Sequence, residues 1–408
     1  MKDIAIYTLT SPLHNEAAIK AATEEFLGTL TVDFDFCDND YSDYGTHQPQ
    51  LIYVRTGGTE SVMKPLLPTL LKQSTQPIYL LTSGKSNSLA ASMEILSYLR
   101  QQGIKGEILH GSPEYINERI LVLQQVSATL RTLAQCRLGV IGEPSDWLIS
   151  SIVDEEKIRE RLGVELLRIP MDELLKRYNE HPEGEDEELM AQAPDDGIRK
   201  ALPGALGLYN ALLQMVDDYR LQGLSIRCFD LLSAIHNTGC IALAKLNSEG
   251  IVAGCEGDIP TMLSMAIANA ALGVSGFQAN PARINPETGE MLFAHCTIPF
   301  NMLSHYELDT HFESGIGVGV RGYAFLGGVT VFKIAGDLSR AFVAEGILER
   351  NQGEADLCRT QQIIHLDEPE KTRYFLTETI GNLHFILPSR CKNFLCAILR
   401  EIGVTEIL

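Results

Sequence analysis

Alternation of short apolar runs with helical patterns over the first 130 residues narrows the fold more than any other feature of this sequence. Residues 4–7 read as a buried strand and 15–27 as an amphipathic helix. Further short apolar runs at 51–54 and 78–81 end in small residues, and each is followed by a helical pattern, at 60–71 and 89–101. Repeated strand-helix units of this kind predict an α/β, Rossmann-like fold, with a parallel sheet covered by helices on both faces. Loops leaving the strand C-termini then border a crevice. Two of them combine Gly with polar groups: Arg55-Thr-Gly-Gly-Thr-Glu60 and Thr82-Ser-Gly-Lys-Ser86.

A second α/β unit begins near Arg137. Strands are expected at 138–141, 164–169, 224–229 and 251–254, a helical stretch from Trp147, and a long helix at 201–221. The run HPEGEDEE at 181–188 is a solvated acidic face. After about residue 275 the texture changes. Short β-rich segments at 291–298, 316–320, 329–334, 362–366 and 383–387 are separated by turn residues, and 394–402 closes the chain as a helix. This predicts a mostly antiparallel sheet or barrel. The expected division is therefore 1–134, 135–274 and 275–408.

The net charge of −20 argues against nucleic acid or an anionic membrane as partner, since both need clustered Lys and Arg. No apolar run approaches the roughly 20 residues of a membrane span, and the N-terminal segment lacks the pattern of a signal peptide. Nine scattered cysteines without a C-x-x-C pair suit free thiols in a reducing compartment, so a cytoplasmic location is expected.

Two motifs fail on inspection. Gly84-Lys85-Ser86 looks like the end of a phosphate-binding loop, but Tyr79 stands where that loop needs Gly. Gly317-x-Gly319-x-x-Gly322 spells a dinucleotide fingerprint, yet a strand-like segment follows instead of a helix. No nucleotide cofactor is expected.

Chemistry concentrates where the strand at 251–254 runs into Cys255-Glu-Gly-Asp258, ahead of a helix opened by Pro260. Glu256 then lies at the C-terminal end of a strand, the usual functional edge of such a sheet. A Glu there wants a cation or metal. Asp258 is a second catalytic candidate, with helix capping as the competing role. Asn280, His295 and His384 follow in β-rich segments, where each alone is more often a hydrogen-bonded core residue than a ligand.

The ordered set Cys255-Glu-Gly-Asp258, Ala279-Asn280, Ala294-His-Cys-Thr-Ile-Pro299, Gly381-Asn-Leu-His384-Phe385 and Leu399-Arg-Glu-Ile-Gly-Val404 resembles the L-fucose isomerase and L-arabinose isomerase superfamily. The resemblance covers roughly 135–408 and is topological over the first 130 residues. It implies a β-rich C-terminal domain of that type and a metal-dependent enzyme that interconverts an aldose and a ketose through an ene-diol. It also implies a divalent cation, Mn²⁺ in the family, with Glu256, Asn280, His295 and His384 as its ligands. Glu256 is then ligand and base, and Cys296 a further possible ligand with a packed thiol as the alternative.

At position 280 the family carries a carboxylate. The amide of Asn280 can coordinate a hard cation but brings no negative charge and cannot act as a base. A member that binds a sugar without isomerising it, or a lyase or epimerase on the same scaffold, is therefore the competing expectation. Glu313 and Arg359 are candidates for contacting the sugar. The resemblance further implies a homo-oligomer, a trimer or hexamer. There the N-terminal domain of one subunit covers its neighbour's site, with Arg55 and Lys85 in the covering loops.

Overall fold

The computed structural model describes residues 2–12 and 14–408. It divides into two compact units, Met1–Ala128 and Thr129–Leu408.

In the first unit five strands form one parallel sheet: Ile4–Leu9, Phe34–Asp38, Gln50–Val54, Ile78–Leu81 and Gly106–Leu109. Their spatial order is second, first, third, fourth, fifth. Side chains of a strand alternate between faces, and both faces here are apolar. Ala5, Tyr7, Ile52 and Leu80 pack on Met63, Leu67, Ile95 and Leu99 of two helices. Ile4, Ile6, Leu51 and Leu81 pack on Ile116, Ile120 and Leu123 of another. The alternation that predicts a doubly covered parallel sheet is thus realised.

The second unit combines two sheets. Strands Arg137–Ile141, Glu165–Ile169, Gly223–Ile226 and Val252–Gly254 form a parallel sheet in the order second, first, third, fourth. The long helix Asp196–Tyr219 packs on it through Leu208, Ala211, Leu212 and Met215. Six strands, Phe277–Ile284, Glu290–His295, Gly327–Ile334, Arg340–Gln352, Thr360–Leu366 and His384–Leu387, pair antiparallel into a ring. Gly327–Ile334 closes it by pairing with both Arg340–Gln352 and His384–Leu387. A two-stranded ribbon, Leu303–Asp309 with Gly319–Ala324, stands beside this barrel.

A boundary at 274 does not separate compact bodies. The helix Ile259–Leu272 is buried from Ile259 to Ala268 and touches both Val252–Gly254 and the barrel strands Gly327–Ile334 and His384–Leu387. A mostly apolar helix buried on all sides belongs inside a core, so the two expected domains share one. The first division falls within the helix Pro113–Leu133, a little ahead of the expected 134. Trp147 lies in an irregular segment, with the next helix starting at Glu155. Among the described residues no helix is long and apolar enough to cross a membrane.

Candidate active site

The strand Val252–Gly254 ends in a sharp turn. Glu256 has φ +65° and Gly257 φ +68°. A non-Gly residue at positive φ is uncommon and costs about 1–3 kcal/mol, so surrounding contacts must hold it there. Three do. Ser145 N–H donates to the Glu256 carbonyl at 2.9 Å, and Gly257 N–H donates to the Ile226 carbonyl at 2.8 Å. Gln278, on the first barrel strand, brackets the preceding peptide: its Oε1 accepts from Cys255 N at 2.7 Å and its Nε2 donates to Cys255 O at 3.3 Å.

This turn aims the Glu256 carboxylate into a cleft, partly open at its mouth, lined also by Asn280, His295, His311 and Glu313. Glu256 is only 6% exposed. Its Oε2 accepts from Trp147 Nε1 at 2.7 Å, and its Oε1 lies 3.6 Å from His295 Nε2. Burial opposes ionisation of Glu256, but the facing imidazole and the Trp147 N–H outweigh it and hold the carboxyl below its ordinary range. Burial likewise opposes a charge on His295, and the Glu256 carboxylate overcomes it, raising the imidazole above its usual value. The two form a buried ion pair, with His295 Nδ1 anchored on Thr297 Oγ1 at 3.0 Å.

An aromatic wall runs from Trp147 to Phe229 to His311, with ring centroids 4.7 and 5.6 Å apart in edge-on contacts. His311 Nδ1 meets Ser314 Oγ at 3.0 Å. Burial, then the positive charges of His295 and Arg359, push its imidazole down to about 4. Glu313 is exposed at the mouth, and partial burial followed by the charge of Glu256 raises its carboxyl. Cys296 is buried beside His295. The hydrogen bond from Cys358 is the main cause that lowers its thiol, to about 6 against the pull of burial.

Of the expected ligands, Glu256, Asn280 and His295 therefore border one cleft. Asn280 Oδ1 already accepts from Asn382 Nδ2 at 2.9 Å. His384 stands apart from the cleft lining. It is fully buried, with Nε2 on the Tyr374 hydroxyl at 3.0 Å and Nδ1 on the Asn382 carbonyl at 2.9 Å. Burial and the charge of Lys333 push it down to about 3. Both of its nitrogens are engaged, so neither is free for a metal. Among the described residues no group of three or more His, Cys, Asp and Glu side chains is placed to hold a metal ion. The four-ligand shell is thus not assembled by these side chains as they stand.

Asp258 takes the capping role. Its carboxylate accepts from Thr261 N at 2.9 Å and pairs with Lys333 Nζ at 3.0 Å, with both side chains buried. It does not line the cleft. Arg359 does not line it either: it clamps the loop that carries His311 and Glu313, donating from Nε to Thr310 O at 2.7 Å and pairing with Asp309 at 3.3 Å. Arg55 and Lys85 belong to the first unit. Arg55 donates to Thr10 Oγ1 at 2.6 Å and pairs with Asp38, and exposed Lys85 pairs with Glu25 at 2.9 Å. Trp147 and Gln278 escape sequence reasoning, because their partners Glu256 and Cys255 lie 109 and 23 positions away.

No family model matches this sequence. Among curated proteins it is similar to the sulfoquinovose isomerase of Alkalicoccus urumqiensis, 24% identical over 223 residues, which are 52% of this chain and 49% of that protein. The sulfoquinovose isomerase of Priestia megaterium is 24% identical over 219 residues, covering 52% and 49%. That of Clostridium sp. (strain MSTE9) is 25% identical over 244 residues, covering 56% and 54%. The chain spans about half the length of the curated relatives it matches.

Proposed function

We propose that this chain is an aldose-ketose isomerase of the L-fucose/L-arabinose isomerase superfamily that works through an ene-diol. The observation that carries the reading is the placement of Glu256. It is an ionised carboxylate, held at positive φ, buried in a cleft and paired with His295. The similarity to sulfoquinovose isomerases supports the same reaction class.

In the proposed reaction the Glu256 carboxylate takes the proton from C2 of the aldose. The C1–C2 double bond forms as the carbonyl electrons move to O1. The same carboxyl then returns the proton to C1, leaving the carbonyl on C2. A positioned acid-base group of this kind contributes about 10²–10⁴-fold. Keeping water from the ene-diol suppresses side reactions. Phe229, with Trp147 packed edge-on against it, supplies an apolar side to the cleft.

A divalent cation, where bound, would supply charge stabilisation for the ene-diolate. Glu256 and His295 have ligand atoms facing the cleft, but His384 is engaged elsewhere, so the residues as arranged do not fit the full shell implied by the resemblance. Sulfoquinovose carries a sulfonate, and none of the cleft-lining residues is Lys or Arg. Uncharged aldoses therefore belong in the substrate panel beside it. A homo-oligomer, trimer or hexamer, is part of the proposal, and light scattering tests it: a monomer at micromolar concentration refutes it.

The deciding experiment incubates the protein with sulfoquinovose, L-fucose, L-arabinose and their ketoses, with Mn²⁺, Co²⁺ or Mg²⁺ and with none added. Interconversion of at least one pair is expected, and failure with all of them overturns the reading. The second reading, sugar binding without isomerisation, is favoured by one observation: the Asn280 amide is a neutral group already bonded to Asn382. It requires that Asn280→Asp create an activity that the wild type lacks.

A further inference from the structure

Moving a proton from C2 to C1 does not complete an aldose-ketose conversion. O1 must lose a proton and O2 gain one, or the reverse, according to direction. In the aldose-to-ketose direction O1 gains a proton and O2 gives one up. The group that serves both oxygens must donate and accept in turn.

Most polar groups of the cleft are already committed. Glu256 is held by Trp147 and His295. His295 has Nδ1 on Thr297 and Nε2 facing Glu256. The Asn280 oxygen accepts from Asn382, and an amide is not a base at neutral pH. His311 differs. Its Nδ1 meets Ser314 Oγ, while among the described residues no hydrogen-bond partner engages Nε2, and the residue lines the cleft. The ring is also fixed in place. Phe229 packs on its edge, His311 N–H donates to Ile316 O at 3.1 Å, and Gly315 N–H donates to His311 O at 2.8 Å. Arg359 pins the adjoining Thr310 carbonyl.

We propose that His311 is a catalytic residue that relays the hydroxyl proton between O1 and O2; the assignment rests on the isomerase reading above. As Glu256 removes the C2 proton and the carbonyl electrons reach O1, Nε2 gives its proton to O1. As Glu256 returns its proton to C1, the O2–H bond breaks toward Nε2, the O2 electrons form the C2 carbonyl, and the imidazole regains its starting state. No proton or electron is left over. Burial and the neighbouring positive charges keep the imidazole neutral near pH 7, so one nitrogen holds a proton and the other a lone pair. The relay uses the tautomer in which Nδ1 accepts from the Ser314 hydroxyl, which leaves that proton on Nε2.

Two substitutions separate relay from support. His311→Asn keeps a polar atom near the place of Nδ1, within reach of Ser314. His311→Gln reaches toward the place of Nε2 instead. Neither amide relays a proton. The wild type and both variants are assayed with sulfoquinovose, L-fucose and L-arabinose in deuterated water, following ketose formation and exchange at C2. Both variants are expected to lose about 10²-fold or more in kcat with little change in KM. Exchange at C2 should fall less than ketose formation, because Glu256 remains. If His311→Asn keeps its kcat, the residue only braces its loop and the relay is wrong. If both variants keep kcat while the wild type is active, the relay is wrong and the isomerase reading stands. If the wild type converts none of the three sugars, the isomerase reading fails and takes the relay with it.

Discussion

Replacing Trp147 with Phe tests whether the indole N–H sets the working pH of Glu256. Phe keeps the ring contact with Phe229 and deletes only the donor that lies 2.7 Å from Oε2. A hydrogen bond to a charged group contributes roughly 1.5–3 kcal/mol. One pKa unit corresponds to about 1.4 kcal/mol, so full loss would raise the carboxyl by about one to two units. Trp147 is 50% exposed, so water replaces part of the lost bond, and the lower end of about one unit is expected. The sign follows from which form gains: the N–H stabilises the ionised carboxylate, so its removal favours the protonated form and raises the pKa. In kcat/KM against pH, the acidic limb should move up by about one unit, with the plateau nearly unchanged. An unmoved limb would refute the claim that Glu256 is the base or that Trp147 keeps it ionised.

Gly257→Ala places a Cβ 2.9 Å from Pro144 Cα at a φ of +68°, so a loss of about 1–3 kcal/mol is expected as a lowered Tm; an unchanged Tm contradicts the packing of this turn. Lys333→Met leaves the Asp258 carboxylate buried without its cation and should cost about 3–5 kcal/mol in urea unfolding, while Lys333→Met with Asp258→Asn should recover part of it. The Glu256–His295 pair should contribute most to stability between about pH 4.5 and 6.5, the ordinary values of the two groups. Below that window the Glu256 share is lost as pH falls through its lowered pKa, and above it the His295 share is lost as pH rises through its raised one. A double-mutant cycle of Glu256→Gln and His295→Gln run against pH checks this; a coupling flat across the range contradicts it.

The parallel sheets were legible because strand periodicity is local. Ile4–Leu9, Gln50–Val54 and Ile78–Leu81 are mostly apolar runs closed by polar residues, and their burial on both faces follows from that pattern alone. Glu256 was legible for the same reason, as a charge at the end of an apolar strand ahead of Pro260. The fate of His384 was not. Its flanking residues look like those of a site, but the register that pairs Ala279 with His384 sets the ring among Tyr374, Phe375 and Phe342. Register across a barrel depends on strands far apart in sequence. Trp147 followed a helical pattern only in composition. Its place is decided by the Glu256 carboxylate, 109 positions away in the sequence. The shared core at 274–275 was hidden likewise, since a mostly apolar helix such as Ile259–Leu272 does not say which layers it lies between.

The central claim, that Glu256 moves a carbon-bound proton in a sugar, is tested most directly by proton NMR of the wild-type protein with sulfoquinovose, L-fucose or L-arabinose in deuterated water. The account predicts loss of the C2 proton signal of at least one aldose together with appearance of its ketose, both abolished by Glu256→Gln. Undiminished C2 signals for all three sugars, or exchange that survives Glu256→Gln, would contradict it.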